Sequence, residues 1–233
     1  MVALSLIKHH VMKKTIIAIL VLLSAMGASA QSLLWDSAEP VKTVTVGARL
    51  GWNFASMAGK GSSYYDGRKG VALGAAVDVN LIKSFSINTG LYFTMKGASM
   101  NDVEAQVGDM LGMKAKATWA VNFLELPVYA SYHLIFTPDS DLQIFFGPYF
   151  SYGVYGKYGM KMRDMEGYAK EKVKLFSKSQ GYHRWQSGIG LGASYTFDHH
   201  YVVGLQYQWG IRDVAELMDN QWNLFQLSIG YNF

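Results

Sequence analysis

Eight times along this chain, apolar residues alternate with small or polar ones, and the final stretch shows the pattern most cleanly. From Asn223 onward, Phe225, Leu227, Ile229, Tyr231 and Phe233 form one row, with Gln226, Ser228, Gly230 and Asn232 between them. Successive side chains of a β-strand point to opposite faces, so a period of two predicts a strand with one oily and one wet face. One such strand would also fit the edge of a soluble sandwich. The other seven decide.

From about Thr43 to Phe54, Val44, Val46, Ala48, Leu50, Trp52 and Phe54 oppose Thr45, Gly47, Arg49, Gly51 and Asn53. From Gly70 to Leu81, Val71, Leu73, Ala75, Val77 and Val79 oppose Ala72, Gly74, Ala76, Asp78 and Asn80. The third strand begins at Phe85 and ends near Lys96, and the fourth spans Trp119 to Leu134. Pro127 weakens the fourth prediction, because proline cannot donate to a ladder. The fifth, sixth and seventh follow at Leu142 to Lys157, Trp185 to Phe197 and Tyr201 to Ile211. The connections run long, short, long, short, long, short, long. The longest, about Tyr158 to Arg184, is rich in Lys, Asp and Glu, and its flanks (Met160, Met162; Val173, Leu175) are expected to extend a hairpin beyond the sheet.

Composition narrows what such a chain is. Half of the 233 residues are hydrophobic, 16% are charged and 14% are aromatic, with 24 glycines and 4 prolines. That excludes disorder, which needs high charge and few aromatics. The absence of cysteine excludes disulfides, thiolate metal sites, a cysteine nucleophile and a lipoprotein anchor. A net charge of +4 without a dense basic run gives no nucleic-acid footprint.

Alternation does not by itself say which face meets solvent. A lipocalin-like barrel would turn its apolar rows inward around a ligand. Three features favour the inverse arrangement. The polar rows are heavy in glycine, which suits the crowded interior of a small barrel. Trp52, Trp119, Trp185 and Trp209 all fall at the end that bears the long connections, as an aromatic girdle at a membrane interface would. Arg49, Asp78, Lys96 and Glu125 all lie on the polar face, and a lipid-facing Arg or Lys at mid-depth would cost about 2–4 kcal/mol. The expectation is an all-β, eight-stranded, antiparallel up-and-down transmembrane β-barrel over residues 43–233, preceded by a signal peptide and a short periplasmic lead, 31–42. Both mature termini are expected in the periplasm. In the leader, residues 1–30, Lys13 and Lys14 supply the positive region, Ile16 to Leu23 the apolar one and Ala28-Ser29-Ala30 the cleavage site, with Met12 the expected start. Phe225, Leu227, Ile229, Tyr231 and Phe233 then serve as a C-terminal signal for the barrel-assembly machinery.

Phe123-Leu124-Glu125-Leu126-Pro127-Val128 followed by Phe146-Gly147-Pro148-Tyr149-Phe150-Ser151 resembles the paired motifs of the PorT-like outer-membrane β-barrel family. Gly188-Ile189-Gly190-Leu191-Gly192 and the closing Leu227 to Phe233 are similar as well. The resemblance covers essentially all of the mature chain. It implies an outer-membrane location and, for some members, a part in protein secretion; it brings no catalytic residues.

The lumen charges are the expected site. Lys96 is expected to pair with Glu125, and Arg49 with Asp78 or Glu125, either plugging the lumen or gating a path through it. Eight strands leave an interior that side chains largely fill, so open conduction is not expected, and the expected role is non-enzymatic: support of secretion or envelope organisation. The alternative is a small-solute pore or ligand-binding barrel. No cofactor or metal is expected. A lipid-processing enzyme would need a Ser/His/acid group near the outer rim, where only His183 lies. Outer-membrane lipid is the expected surrounding. Lys157, Lys161, Arg163, Lys170, Lys172, Lys174 and Lys178 are candidates for lipopolysaccharide phosphates.

Overall fold

The computed structural model describes residues 37–59, 65–100, 114–137, 139–164, 167–176, 181–216 and 219–233. The leader and the side chains of 160–174, which include most of the basic loop, lie outside the described residues.

Nine strands form one sheet: β1 Val44–Gly59, β2 Tyr65–Ile82, β3 Phe85–Met100, β4 Lys114–Thr137, β5 Ser140–Asp164, β6 Gly167–Lys174, β7 Trp185–Phe197, β8 Tyr201–Gly210 and β9 Asn220–Asn232. Eight close into a barrel, because β4 pairs with β5 and β9 returns to β1, all antiparallel. The closing seam sets Gly47 against Asn232 and Gly59 against Asn220, so no barrel edge is left open. β6 pairs only with the outer half of β5, from Lys157↔Lys174 to Asp164↔Gly167. It is the expected hairpin.

The strands are longer than the alternation implied at the long-connection end. Tyr65 to Lys69 and Gly97 to Met100, read as loop, continue the ladder, and β4 pairs with β5 out to Lys114↔Arg163. Their polar and glycine-rich composition hides this, because backbone pairing needs no apolar row. At Pro127 the β3–β4 ladder passes from Thr89↔Val128 to Tyr92↔Glu125, and the Thr89 hydroxyl donates to the Pro127 carbonyl at 2.7 Å. The opposite end has tight turns. In the β7–β8 turn, Asp198 and His199 both take positive φ (50° and 59°), the signature of a type I′ hairpin turn.

The apolar rows face outward. Leu73, Leu91, Phe146, Val203 and Leu205 are all more than half exposed, and so is Phe233 at the rim. Trp52, Trp185 and Trp209 share that outer surface. Trp119 does not. It is buried at 4% exposure and points into the barrel, so it is no part of the outer girdle. It lies an even number of residues before Glu125 with no parity change between them, so inward Glu125 makes Trp119 inward.

Candidate functional site

The lumen is built in layers, each from the wet face of the strands. At the long-connection end that face is no longer wet. Met57 on β1, Ala98 on β3, Trp119, Val121 and Phe123 on β4, and Trp222 on β9 converge inside the barrel. Leu175 after β6 and Val214 after β8 drop in from the connections. Trp119 Nε1 donates to the Tyr182 hydroxyl at 3.1 Å, which holds the β6–β7 connection over the plug. Burial raises the Tyr182 pKa, and the Trp119 hydrogen bond opposes that shift. Arg184 fastens the same connection, donating to the carbonyls of Gly153 (3.1 Å) and Phe176 (3.2 Å) beside the Phe176 ring.

Beneath the plug sits the ion pair. Lys96 Nζ lies 3.0 Å from Glu125 Oε2 and 3.1 Å from Gln208 Oε1, and Gln208 Nε2 donates to Glu125 Oε1 at 2.5 Å. The ammonium also stands 4.7 Å from the Tyr149 ring centroid. Each charge is thus matched by its counter-ion, and Gln208 bridges the pair from the far wall. Buried charges demand such pairing, and Glu125 Oε2 relies on the charge of the ammonium, since it accepts no aligned hydrogen bond.

Arg49 and Asp78 do not meet each other as expected. Arg49 Nη2 donates to Asn232 Oδ1 at 2.7 Å and Nη1 to the Ala48 and Tyr231 carbonyls. The space is made by glycine: a Cβ on Gly230 would stand 2.4 Å from Arg49 Cδ, and one on Gly47 2.5 Å from Nη1. The guanidinium therefore lies along the β1–β9 seam. Asp78 is satisfied by amides instead, accepting from Asn88 Nδ2 (2.7 Å) and Gln143 Nε2 (2.9 Å).

Between these groups is a polar cavity of about 60 Å³, bordered by Arg49, Asn88, Tyr92, Glu125, Gln206 and Gln226. That is room for about four or five waters. Below it, Tyr129 stacks on Phe145 at 5.3 Å.

Of the expected lumen residues, Lys96 and Glu125 form one cluster, Arg49 a second and Asp78 a third. Gln208, Gln143, Asn88, Tyr129 and Tyr149 complete these clusters. Alternation places all five inward, but nothing in the pattern distinguishes an amide that bridges charges from one that meets water. The outward Trp52, Trp185 and Trp209 mark one rim, and Tyr201, Tyr231 and Phe233 cluster at the other, with the Tyr201–Tyr231 rings 5.6 Å apart. His183 borders the plug, and its N–H donates to the Val214 carbonyl. Among the described residues, no group of three or more His, Cys, Asp or Glu is placed to hold a metal ion.

A family model described as outer membrane protein beta-barrel domain matches residues 29–216. No curated protein sequence matches. Among solved structures, the Ail attachment invasion locus protein of Yersinia pestis is 12% identical, covering 82% of this chain and 100% of its own, at a TM-score of 0.36. A major outer membrane protein of Thermus thermophilus is 11% identical over 82% and 100%, at 0.47. OprG of Pseudomonas aeruginosa is 10% identical over 85% and 99%, at 0.40. Scores this low lend no argument about function.

Proposed function

Because the chain belongs to the outer membrane protein beta-barrel domain family, we propose that it is a non-conducting, non-enzymatic barrel whose long-connection end is its working surface. The observation that carries this reading is the doubly blocked lumen: an apolar plug above a buried ion pair. A channel needs a continuous wet path, and next to Glu125, which borders the polar cavity, the inner face of β4 turns apolar at Phe123, Val121 and Trp119. Strands that run past the rim at β4 and β5, with β6 folded back on them, supply surface where a pore would supply a mouth.

In this reading the long connections face outward and both mature termini face the periplasm, as in up-and-down outer-membrane barrels. The finer assignment is PorT-like: the barrel supports protein secretion or envelope organisation through partners at that surface. Lipopolysaccharide phosphates are the proposed lipid contacts. Exposed Lys69, Lys157, Arg184 and Arg212 stand at the rim of the outward tryptophans, and Lys157 Nζ lies 5.2 Å from the Tyr155 ring centroid. Barrel-assembly machinery is the proposed partner of β9 during insertion.

Co-purification from native outer membranes tests the reading. Secretion or envelope components should travel with the intact chain and be lost when residues 165–174 are replaced by a short turn. The second reading, a small-solute pore, draws on the 60 Å³ cavity. Planar-bilayer recording separates the two: steady conductance of the wild type would overturn the non-conducting assignment.

A further inference from the structure

Beyond the aromatic rim, three strands carry the barrel wall onward as a tongue. β4 pairs with β5 out to Lys114↔Arg163, and β6 takes the side of β5 that β7 holds lower down, from Lys157↔Lys174 to Asp164↔Gly167. The β4–β5 ladder has no register shift between Ala120 and Lys114, and the β5–β6 ladder has none. Period two therefore assigns each position of the tongue to one of two faces.

The two faces differ in charge. Lys116, Lys161 and Lys170 stand opposite one another across the three strands. Two positions farther out, Lys114 is opposite Arg163. Toward the barrel, the row of Thr118 and Gly159 adds Lys172, and the row of Ala120 adds Lys157 and Lys174. These rows are alternate ones, so all these cations share a face. The acids that interleave with them in sequence do not: Glu171 is opposite Met160 and Asp164 opposite Gly167, in rows of the other face. Glu166 and Lys178 lie outside the described residues. The mixed run Lys170-Glu171-Lys172 thus divides between a basic face and one that carries Ala115, Met162 and Ala169 as a row.

The basic face is the one that meets lipid lower down. Ala120 and its partner Lys157 are exposed, while Trp119 is buried. Toward the barrel the same face of β4 and β5 carries exposed Leu124, Leu126, Tyr152 and Phe150. Strands lie about 4.8 Å apart, and like charges directly opposite one another destabilise a sheet. Left bare, the row of Lys116, Lys161 and Lys170 opposes the pairing that creates it. An anion laid across it removes the repulsion.

From this register we infer that the outward face of the β4–β5–β6 tongue binds the anionic head of outer-leaflet lipopolysaccharide. The inference rests on the outward placement of the long-connection end proposed above, and it names the residues of that lipid contact. Continuity and charge select the occupant. A face continuous with the lipid-facing wall reaches the head groups of the same leaflet. From Lys157 to Arg163 the strand rises about 20 Å, or about 15 Å in height at the usual tilt of barrel strands. A phospholipid offers one phosphate at one depth. Lipopolysaccharide spreads phosphates and sugar carboxylates over its lipid and inner core, and so meets cations at several heights with charge-assisted contacts.

The test is binding of fluorescent rough lipopolysaccharide to the full barrel in uncharged detergent micelles. Lys116→Gln with Lys161→Gln and Lys170→Gln should weaken binding about a hundredfold, at about fivefold per lysine. Arginine at the same three positions should bind like wild type, which separates lost charge from a disturbed hairpin. Lys42→Gln with Lys83→Gln, exposed at the tight-turn end, should also bind like wild type. Wild-type binding by the glutamine variant, or an equal loss in the tight-turn control, overturns the inference. Equal wild-type affinity for phosphatidylglycerol overturns it in favour of any acidic membrane, and binding of dextran sulfate without lipopolysaccharide overturns it in favour of a soluble polyanion. Gly167→Cys, in a chain with no cysteine of its own, reads orientation separately. Labelling by an impermeant maleimide on intact cells supports the outward placement. Labelling only after the outer membrane is opened overturns that placement and the lipopolysaccharide contact with it, whereas failure in micelles overturns the cation rows alone.

Discussion

Replacing Lys96 by methionine tests the lumen most directly. Methionine keeps the length and apolar stem of lysine but removes the ammonium that lies 3.0 Å from Glu125 Oε2. The side chains of both partners are nearly sealed, at 1% and 4% exposure, so bulk water reaches neither, and the small polar cavity that Glu125 borders offers only partial solvation in place of the lost charge. Glu125 would be left with one hydrogen bond, from Gln208 Nε2, and Gln208 Oε1 would lose its donor. Removing one member of a buried pair costs about 3–5 kcal/mol. The lost contact over the Tyr149 ring, at 4.7 Å, adds on the order of 1 kcal/mol. At 1.4 kcal/mol per decade, the unfolding equilibrium should shift by about three to four orders of magnitude. Urea unfolding in lipid vesicles, followed by tryptophan fluorescence, measures the loss, with exposed Glu39→Ala as a control expected within about 0.5 kcal/mol of wild type. The double variant Lys96→Met, Glu125→Gln leaves no uncompensated charge and should recover at least half of the loss. If Lys96→Met behaves like the control, or the double variant is no better than the single, the buried pair does not hold the lumen together.

Trp119→Ala removes a ring packed in the plug and should cost about 3–5 kcal/mol, against a smaller loss for Trp52→Ala on the outer face; the same urea titration compares them. Tyr182 has its pKa raised in the folded state, so its neutral form stabilises the plug fully below the usual tyrosine value near 10, and this contribution is lost as pH rises through the folded value. Trp119 fluorescence should therefore change above pH 10 in the wild type and not in Tyr182→Phe. Asp198→Asn with His199→Gly suits the two positive-φ positions and should stabilise the barrel by about 0.5–1 kcal/mol, because the exposed His199–Asp139 contact it removes contributes little. Deleting Phe233 removes its N–H bond to the Val46 carbonyl (2.8 Å) and should lower the yield of heat-modifiable barrel in assembly reactions more than it lowers the stability of barrels already inserted.

Much of this architecture could be read from period two alone. The eight membrane strands, the outward apolar rows, the β9–β1 closure and the hairpin beyond β5 all follow from which residues alternate and where turns interrupt them. The Lys96–Glu125 pair was within reach for the same reason, since both charges fall on the wet faces of the adjacent strands β3 and β4. The wrong side for Trp119 came from grouping tryptophans by depth without carrying strand parity back from Glu125.

What the sequence by itself determined is the sheet, the side of it that meets lipid and the set of residues that line the lumen, because alternation is a property of neighbours along one strand. Pairing across the lumen is a property of register, shear and empty space, and only the closed barrel decided it. Gly47 and Gly230 let Arg49 lie down on the seam, so that Asp78 was left to amides. The connections folded Leu175 and Val214 into the mouth and turned a wet lumen into a plugged one. The β3–β4–β5 register set Ser86, His133 and Asp141 in line, a contact that no local pattern along the chain encodes.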